Sequence, residues 1–389
     1  MWSALERGSA VSGALDSLRT PCYVVDRAIL RSNLEIMAAI REKTGCGILL
    51  ALKGFAMWSL FPEIGRYLDG ASASSLHEAR LAREQLDLEV HAYLPAYRDD
   101  EFKLILDYAD HLIFNSLGQW NKFRSRVKSH AKKISCGMRI NPEHSEVEVQ
   151  LYDPCAPGSR LGILANELVG ANLDGIDGLH FHNLCELNSD ALGRTLETVE
   201  SRFGKYLEQM KWINLGGGHL ITRQDYNIDL LCELVSSLRQ RYNAKVYLEP
   251  GEAVALNAGL LIVSVLDIVS NEIETAILDT SATAHMPDVI EMPYRPAIVG
   301  AGEPGQYAFT YRLGGLSCLA GDVVGDYSFP APLKIGDRLT FLDMAHYTMV
   351  KNTMFNGLRL PDIVIYDPAD DSAQVVREFG YEDYKGRLS

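Results

Sequence analysis

A single lysine closes the apolar run Gly47-Ile48-Leu49-Leu50-Ala51-Leu52, and a glycine follows it at once. Such a run, with no polar alternation, reads as a strand buried on both faces, the kind found in parallel sheets. A cation at the carboxyl end of that strand stands where α/β barrels place their chemistry. An amine crowded by protein tends to shed its proton, and a neutral amine can condense with an aldehyde. Taken alone, Lys53 fits a strand-end cation reaching solvent equally well. His180 and His182 in Gly178-Leu179-His180-Phe181-His182 lie two apart and share one face of a strand. With Cys185 they spell H-x-H-x-x-C, which suggests zinc, but a fourth ligand at motif spacing is missing and no metal is expected. An imidazole at a strand end can instead stack on a flat aromatic ring, or the pair can be structural.

Leu215-Gly216-Gly217-Gly218-His219 exposes consecutive backbone N–H groups, a fit for a phosphate at a strand-to-helix turn. Sharp turns need glycine for other reasons too. The stretch lacks both G-x-G-x-x-G and the P-loop lysine, which argues against dinucleotides and ATP. Glu249-Pro250-Gly251-Glu252 closes a further strand, and a buried carboxylate there needs a cation. A protonated pyridine nitrogen would serve, and so would Arg139. Later in the chain, Gly315-Leu316-Ser317-Cys318-Leu319-Ala320-Gly321-Asp322 sets a thiol and a carboxylate in a glycine-rich loop. Ala345-His346-Tyr347-Thr348 then offers a hydroxyl for a phosphate oxygen.

The elements that must position these groups alternate. Short apolar runs at 22–25, 47–52, 70–73, 90–94, 111–115, 134–140, 178–182, 212–215 and 246–248 are separated by helical patterns. The long helical patterns lie at 27–43, 191–210 and 225–242, and a shorter one lies at 58–67. Ser75-Leu76-His77-Glu78 is a capping box opening a helix through Arg83. The alternation implies a parallel sheet with crossover helices. Nine candidate strands exceed the eight of a closed barrel by one, and 22–25 is the one expected to stand apart. After Gly251 the pattern turns β-rich, with strands read at 260–269, 274–278, 296–299, 307–313 and 338–342. The expected domains are an α/β barrel over 22–255 and a β domain over 256–389, with 1–21 packing on the latter.

The 389 residues are 47% apolar and 23% charged, the balance of a soluble globular enzyme. No run is long and apolar enough for a membrane helix, and the first residues lack a secretory pattern, so a cytoplasmic location is expected. Seven cysteines without CxxC pairs point to reduced thiols. A net charge of −14 disfavours nucleic acid and favours cationic ligands.

The order of these features, and the strings G-L-H-F-H-N-L-C-E, C-L-A-G-D and M-A-H-Y-T-M-V-K-N-T-M-F-N-G, resemble the fold-type III pyridoxal-phosphate (PLP) decarboxylases. The resemblance to these ornithine and diaminopimelate decarboxylases runs from about Thr20 to Leu360. It is nearest to the branch that acts on carboxynorspermidine and carboxyspermidine in polyamine biosynthesis. It implies an alanine-racemase-like (β/α)8 barrel binding PLP, plus a C-terminal all-β domain. Lys53 would be the Schiff-base lysine and His182 the histidine stacked on the ring. Gly216, Gly217, Gly218 and Tyr347 would hold the phosphate, Glu249 the pyridine nitrogen, and Arg139 would lie near the cofactor. A homodimer with shared active sites is implied, with Cys318 of the partner subunit delivering a proton after CO2 leaves.

The sequence departs from the ornithine pattern at two positions. Glu252 stands where those enzymes carry a phosphate-binding arginine, and Leu319 stands where an acid follows the cysteine. The cationic tail of a polyamine amino acid would then meet other carboxylates, with Glu252, Asp288, Asp322 and Glu186 as the candidates, and Asp279 and Glu291 behind them. Other diamino acids (diaminopimelate, ornithine, lysine) and a non-catalytic PLP-binding protein are the alternatives.

Overall fold

The apolar run before Lys53 forms a strand that is buried at every residue. The computed structural model describes residues 13–389, so the expectation for residues 1–12 lies outside the described residues. Two compact units emerge, one of residues 33–254 and one of residues 13–32 with 255–389.

In chain order the first nine strands are β1 (Cys22–Asp26), β2 (Gly47–Ala51), β3 (Gly70–Ala73), β4 (Glu89–Tyr93), β5 (His111–Phe114), β6 (Ser135–Arg139), β7 (Gly178–His180), β8 (Trp212–Asn214) and β9 (Lys245–Leu248). Strands β2 to β9 pair in sequence, all parallel, and β9 returns to β2 to close the barrel. The crossover helices show why they form. Ser75 Oγ accepts from Glu78 N at 3.1 Å and opens the helix Leu76–Gln85. The helix Ser189–Leu207 buries Leu192, Thr195, Leu196, Val199 and Phe203, the three-and-four spacing of one face. The helix Ile228–Tyr242 ends on Asn243 at φ 49°, a left-handed cap that turns the chain into β9. The stretch 58–67 is shorter than its apolar pattern implies. It forms a 3-10 turn, Trp58–Leu60, and the single helical turn Phe61–Ile64.

Inside the barrel, two glycines on neighbouring strands make room for one indole. A Cβ on Gly137 would lie 2.2 Å from Trp212, and one on Gly178 would lie 2.0 Å from it. The indole fills that space and donates from Nε1 to Ser135 Oγ at 2.9 Å.

The ninth candidate strand does stand apart. β1 pairs antiparallel with β10 (Gly259–Asn271) and parallel with β15 (Asp362–Asp367), so residues 22–32 belong with the C-terminal unit rather than with the barrel. The sheet of that unit also holds β11 (Ile273–Leu278), β12 (Phe309–Gly314), β13 (Val323–Phe329), β14 (Arg338–Leu342) and β16 (Ser372–Arg377). Its order is β13-β12-β11-β10-β1-β15-β16, with β14 on β10. The expected strand at 296–299 is reduced to one bridge, Ile298 to Phe341. β13, β15 and β16 are additions to the sequence reading. β13 is interrupted by Gly325 and Asp326, and β16 is mostly exposed, so neither shows clean alternation.

Because a Cβ at Gly178 would overlap the indole ring, Gly178→Ala is expected to cost roughly 1–3 kcal/mol of stability by overpacking. Chemical denaturation followed by tryptophan fluorescence measures it, and an unchanged midpoint would contradict the packing described.

Candidate active site

A parallel barrel gathers the carboxyl ends of all its strands at one rim. There the loops after β2 and β9 touch backbone to backbone. Ala51 N donates to Pro250 O at 2.9 Å, and a Cβ on Gly54 would come within 3.1 Å of Gly251 Cα. This contact brings Lys53 alongside Glu249, although the two lie at opposite ends of the barrel sequence.

Lys53 Nζ lies 3.4 Å from His182 Nε2. Its side chain is open to solvent by area, yet protein groups crowd the amine, and it is the crowding that governs its proton. Burial, and then the Arg139 guanidinium, push the amine below its ordinary value, with Glu249, Cys185 and Glu78 opposing. His182 is held well below the usual imidazole range by burial, then by Lys53 and Arg139. Gly217 N donates to His182 Nδ1 at 3.0 Å. Gly217 O lies 3.1 Å from the same nitrogen, so Gly217 fixes the ring through Nδ1 in either tautomer and leaves Nε2 facing Lys53.

Glu249 Oε1 accepts from Asn214 Nδ2 at 2.8 Å, while Oε2 has only His180 Nε2 at 3.5 Å. Burial alone would raise this carboxyl, but His180 and Asn214 hold it down at about 2. His180, fully buried, is itself pushed below its ordinary value by burial. Arg139 is not the partner of Glu249. Its Nη2 donates to His182 O at 3.1 Å and its guanidinium lies 4.6 Å from the centre of the Tyr93 ring. It is a buried cation with no carboxylate in ion-pair range among the described residues.

The triple glycine serves the backbone more than expected. Gly216 N donates to Asn214 Oδ1 at 2.9 Å and Gly217 N to His182 Nδ1 at 3.0 Å, so two of the three glycine N–H groups are already engaged. Gly216 and Gly218 have φ of 70° and 84°, and a Cβ on Gly218 would lie 1.9 Å from Leu184 O. No side chain fits there. Three consecutive N–H groups free for a phosphate is therefore a reading to narrow.

Of the remaining barrel candidates, Glu252 opens the short helix Glu252–Ala255. Glu186 is exposed in the loop after β7, in a left-handed conformation at φ 55°. Three residues missed by the sequence reading take part. Asn214 orients Glu249. Tyr93 lies under Arg139 and donates to Asn115 Oδ1 at 2.7 Å. Glu78, read only as a cap, accepts from Ser74 N at 2.6 Å and is pushed up by burial while it feels the charge of Lys53. The strand-end position of Asn214 was the available signal.

In the other unit, Cys318 is exposed in the loop after β12, and its N–H donates to Asn356 Oδ1 at 2.8 Å. Tyr347 sits in the left-handed region at φ 49°. Two carboxylates expected to meet substrate are already engaged. Asp322 is buried and accepts from Ser281 Oγ at 2.8 Å and from Ser317 N at 3.1 Å, so it braces the cysteine loop. Asp288 pairs with Lys351, which also reaches Glu291 at 2.6 Å.

An amine poised to lose its proton, an imidazole beside it and a buried anion short of one hydrogen bond fit an aldehyde-bearing, protonated pyridine ring. Arg139 adds a buried cation for an anionic oxygen. Fold and site together define a pyridoxal-dependent barrel enzyme. Residues 22–345 match the family described as pyridoxal-dependent decarboxylase, C-terminal sheet domain, and the chain belongs to that family. It is 48% identical over 376 residues to a carboxyaminopropylagmatine decarboxylase of Synechocystis sp., covering 96% of each chain. It is 45% identical over 383 residues to a carboxynorspermidine/carboxyspermidine decarboxylase of Campylobacter jejuni, covering 96% of this chain and 99% of that one. A solved Campylobacter jejuni carboxynorspermidine decarboxylase complexed with norspermidine superposes with a TM-score of 0.88 at 44% identity, over 95% of this chain and 100% of that one.

The charges around Lys53 predict how its titration moves. Capture of PLP by the apoprotein needs the neutral amine, so its rate should rise with an inflection below the ordinary 10.5. Arg139→Met removes a cation that lowers this value and shifts the inflection up. Glu249→Gln removes an anion that raises it and shifts the inflection down. Stopped-flow absorbance across pH checks both signs, and shifts in the same direction would defeat the assignment.

Proposed function

We propose that the chain is a cytoplasmic, homodimeric PLP decarboxylase that releases CO2 from carboxynorspermidine or carboxyspermidine, a polyamine-forming reaction. The observation that carries this reading is the near-full-length identity to the Campylobacter enzyme of that name. The Synechocystis relative favours a second substrate, carboxyaminopropylagmatine. All three names describe one head, a carboxyaminopropyl group on a nitrogen. They differ in a tail that ends in an amine or in a guanidine. Glu252 and Glu186 are the barrel carboxylates proposed to face that cationic tail. The seven cysteines, all unpaired, support a reducing compartment.

PLP, when bound, supplies an aldehyde that takes up an amine and a ring that takes up the electron pair left behind by CO2. The chain's own residues do the rest. Lys53 offers Nζ as a neutral amine because burial and Arg139 disfavour its charge. Glu249, ionised and buried, would hold a proton on the ring nitrogen, since an anion beside an N–H favours the protonated form. Asn214 fixes the Glu249 carboxylate in that orientation. His182, its Nδ1 tied to Gly217, presents Nε2 and a flat ring face. Gly218, Arg139 and Tyr347 are proposed to hold the anionic oxygens. Cys318 of the partner subunit is proposed to return a proton to the substrate carbon.

Two measurements test this. On kcat/KM, the three carboxyaminopropyl substrates should exceed meso-diaminopimelate, ornithine and lysine by at least about a hundredfold. Diaminopimelate carries a carboxylate where the tail is cationic, and a preference for it would overturn the reading. Lys53→Ala and Cys318→Ala proteins should each be nearly inactive and regain activity when mixed under exchange conditions. An equal mixture makes about half the dimers mixed, each with one intact site of two, so about a quarter of the activity returns. No recovery, with exchange confirmed, would remove Cys318 from a shared site.

A further inference from the structure

Residues two apart on a strand share a face, so β4 turns Glu89, His91 and Tyr93 to the same side. Tyr93 reaches Arg139 near the catalytic rim. Glu89, the first residue of β4, stands at the opposite, amino-terminal end of the barrel. His111, the first residue of β5, is in register with His91.

These three side chains converge. His91 Nε2 lies 2.8 Å and His111 Nε2 3.4 Å from the same oxygen, Glu89 Oε1. One donor atom from each residue lies within 4.8 Å of the other two, and among the described residues no other three histidine, cysteine or acidic side chains form such a group. Aromatic rings fix the imidazoles. Trp212 stacks on His111 at 5.1 Å with planes 16° apart, and Tyr247 meets His91 edge-on at 4.6 Å. The Tyr247 hydroxyl donates to Glu89 Oε1 at 2.6 Å, while Lys245 Nζ lies 3.5 Å from Oε2. His91 is completely buried, yet its Nδ1 has no partner, and neither has Nδ1 of His111. Hydrogen bonding within the protein accounts for the Glu89 carboxylate but leaves one nitrogen of each imidazole unpaired.

We propose that Glu89, His91 and His111 bind a divalent transition-metal ion of the zinc type at the amino-terminal end of the barrel. A tetrahedral ion with bonds of about 2.0–2.1 Å places its donors roughly 3.3 Å apart; the two glutamate-to-histidine separations, 2.8 and 3.4 Å, bracket that value, and the donors of the group lie within 4.8 Å of one another. Two imidazoles and one carboxylate suit zinc or cobalt better than magnesium or calcium, which prefer all-oxygen shells. Tyr247 then serves as the outer group that orients the carboxylate. Lys245 stays with Oε2, while the ion would share Oε1 with the Tyr247 hydroxyl. The Glu89 side chain is 25% exposed, so the cluster is not sealed from solvent. The ion ties β4 to β5 at the end of the barrel that governs stability, away from the chemistry at the other rim.

Holoenzyme dialysed against a chelator and then titrated with Zn2+ should bind one equivalent per chain at micromolar concentration or tighter, with a rise in the unfolding midpoint. Co2+ should give the visible spectrum of a tetrahedral nitrogen–oxygen site. His111→Gln and Glu89→Gln should weaken binding at least about a hundredfold, and Tyr247→Phe about tenfold, while cofactor absorbance persists. Should the first two variants not fold, Tyr247→Phe decides alone. Absence of saturable binding, a sulfur-to-cobalt charge-transfer band, or unchanged affinity in the variants that fold would overturn the proposal.

Discussion

The contact on which the site depends is the closure of the barrel, where β9 returns to pair with β2. Gly47 registers with Tyr247 and Ile48 with Leu248, and Ala51 N reaches Pro250 O just beyond the strands. Without that pairing Lys53 and Glu249 would stand at the two free edges of an open sheet. With it, an amine and a carboxylate separated by most of the barrel sequence lie on neighbouring turns. Gly54 and Gly251 are small enough to let those turns meet. Closure also leaves no unpaired strand edge in the barrel.

The electrostatics of the rim follow from that geometry. Four ionisable groups near Lys53 pull in opposing directions: Arg139 lowers its proton affinity, and Glu249, Cys185 and Glu78 raise it. Burial favours the neutral amine and outweighs the carboxylates. The same low-dielectric surroundings keep His180 and His182 neutral. A buried, ionised Glu249 survives there because Asn214 and His180 address it. The rim is thus pre-arranged for a positively charged ring nitrogen and an uncharged amine, the pair of states that carbonyl-cofactor chemistry requires.

The glycines illustrate how one sequence feature can have two physical causes. Gly216-Gly217-Gly218 reads naturally as a phosphate turn. In the structure, Gly216 and Gly217 N–H groups are engaged by Asn214 and His182, and Cβ atoms at 217 and 218 would collide with Glu249 O and Leu184 O. The run is glycine first because three backbone segments converge there.

Much was legible in the sequence because it rests on local pattern. Unalternated apolar runs and three-and-four helical spacing gave an eight-stranded parallel barrel followed by a β-rich region. The strand-end positions of Lys53, His182 and Glu249 pointed to carbonyl chemistry. What the sequence could not decide depends on which segments meet across long separations. β1 reads as one more apolar run, and only its pairing with β10 and β15 removes it from the barrel. Asp322 and Asp288 look like free carboxylates until folding brings Ser281, Ser317 and Lys351 to them. Asn214 and Tyr93 carry no motif, because their partners lie elsewhere in the barrel, and Glu89 and His91, two apart on β4, gain His111 only when β5 pairs beside them. Local pattern is set by the order of residues along the chain, whereas the charge and hydrogen-bond state of a side chain is set by its neighbours in space, and only the tertiary structure supplies those.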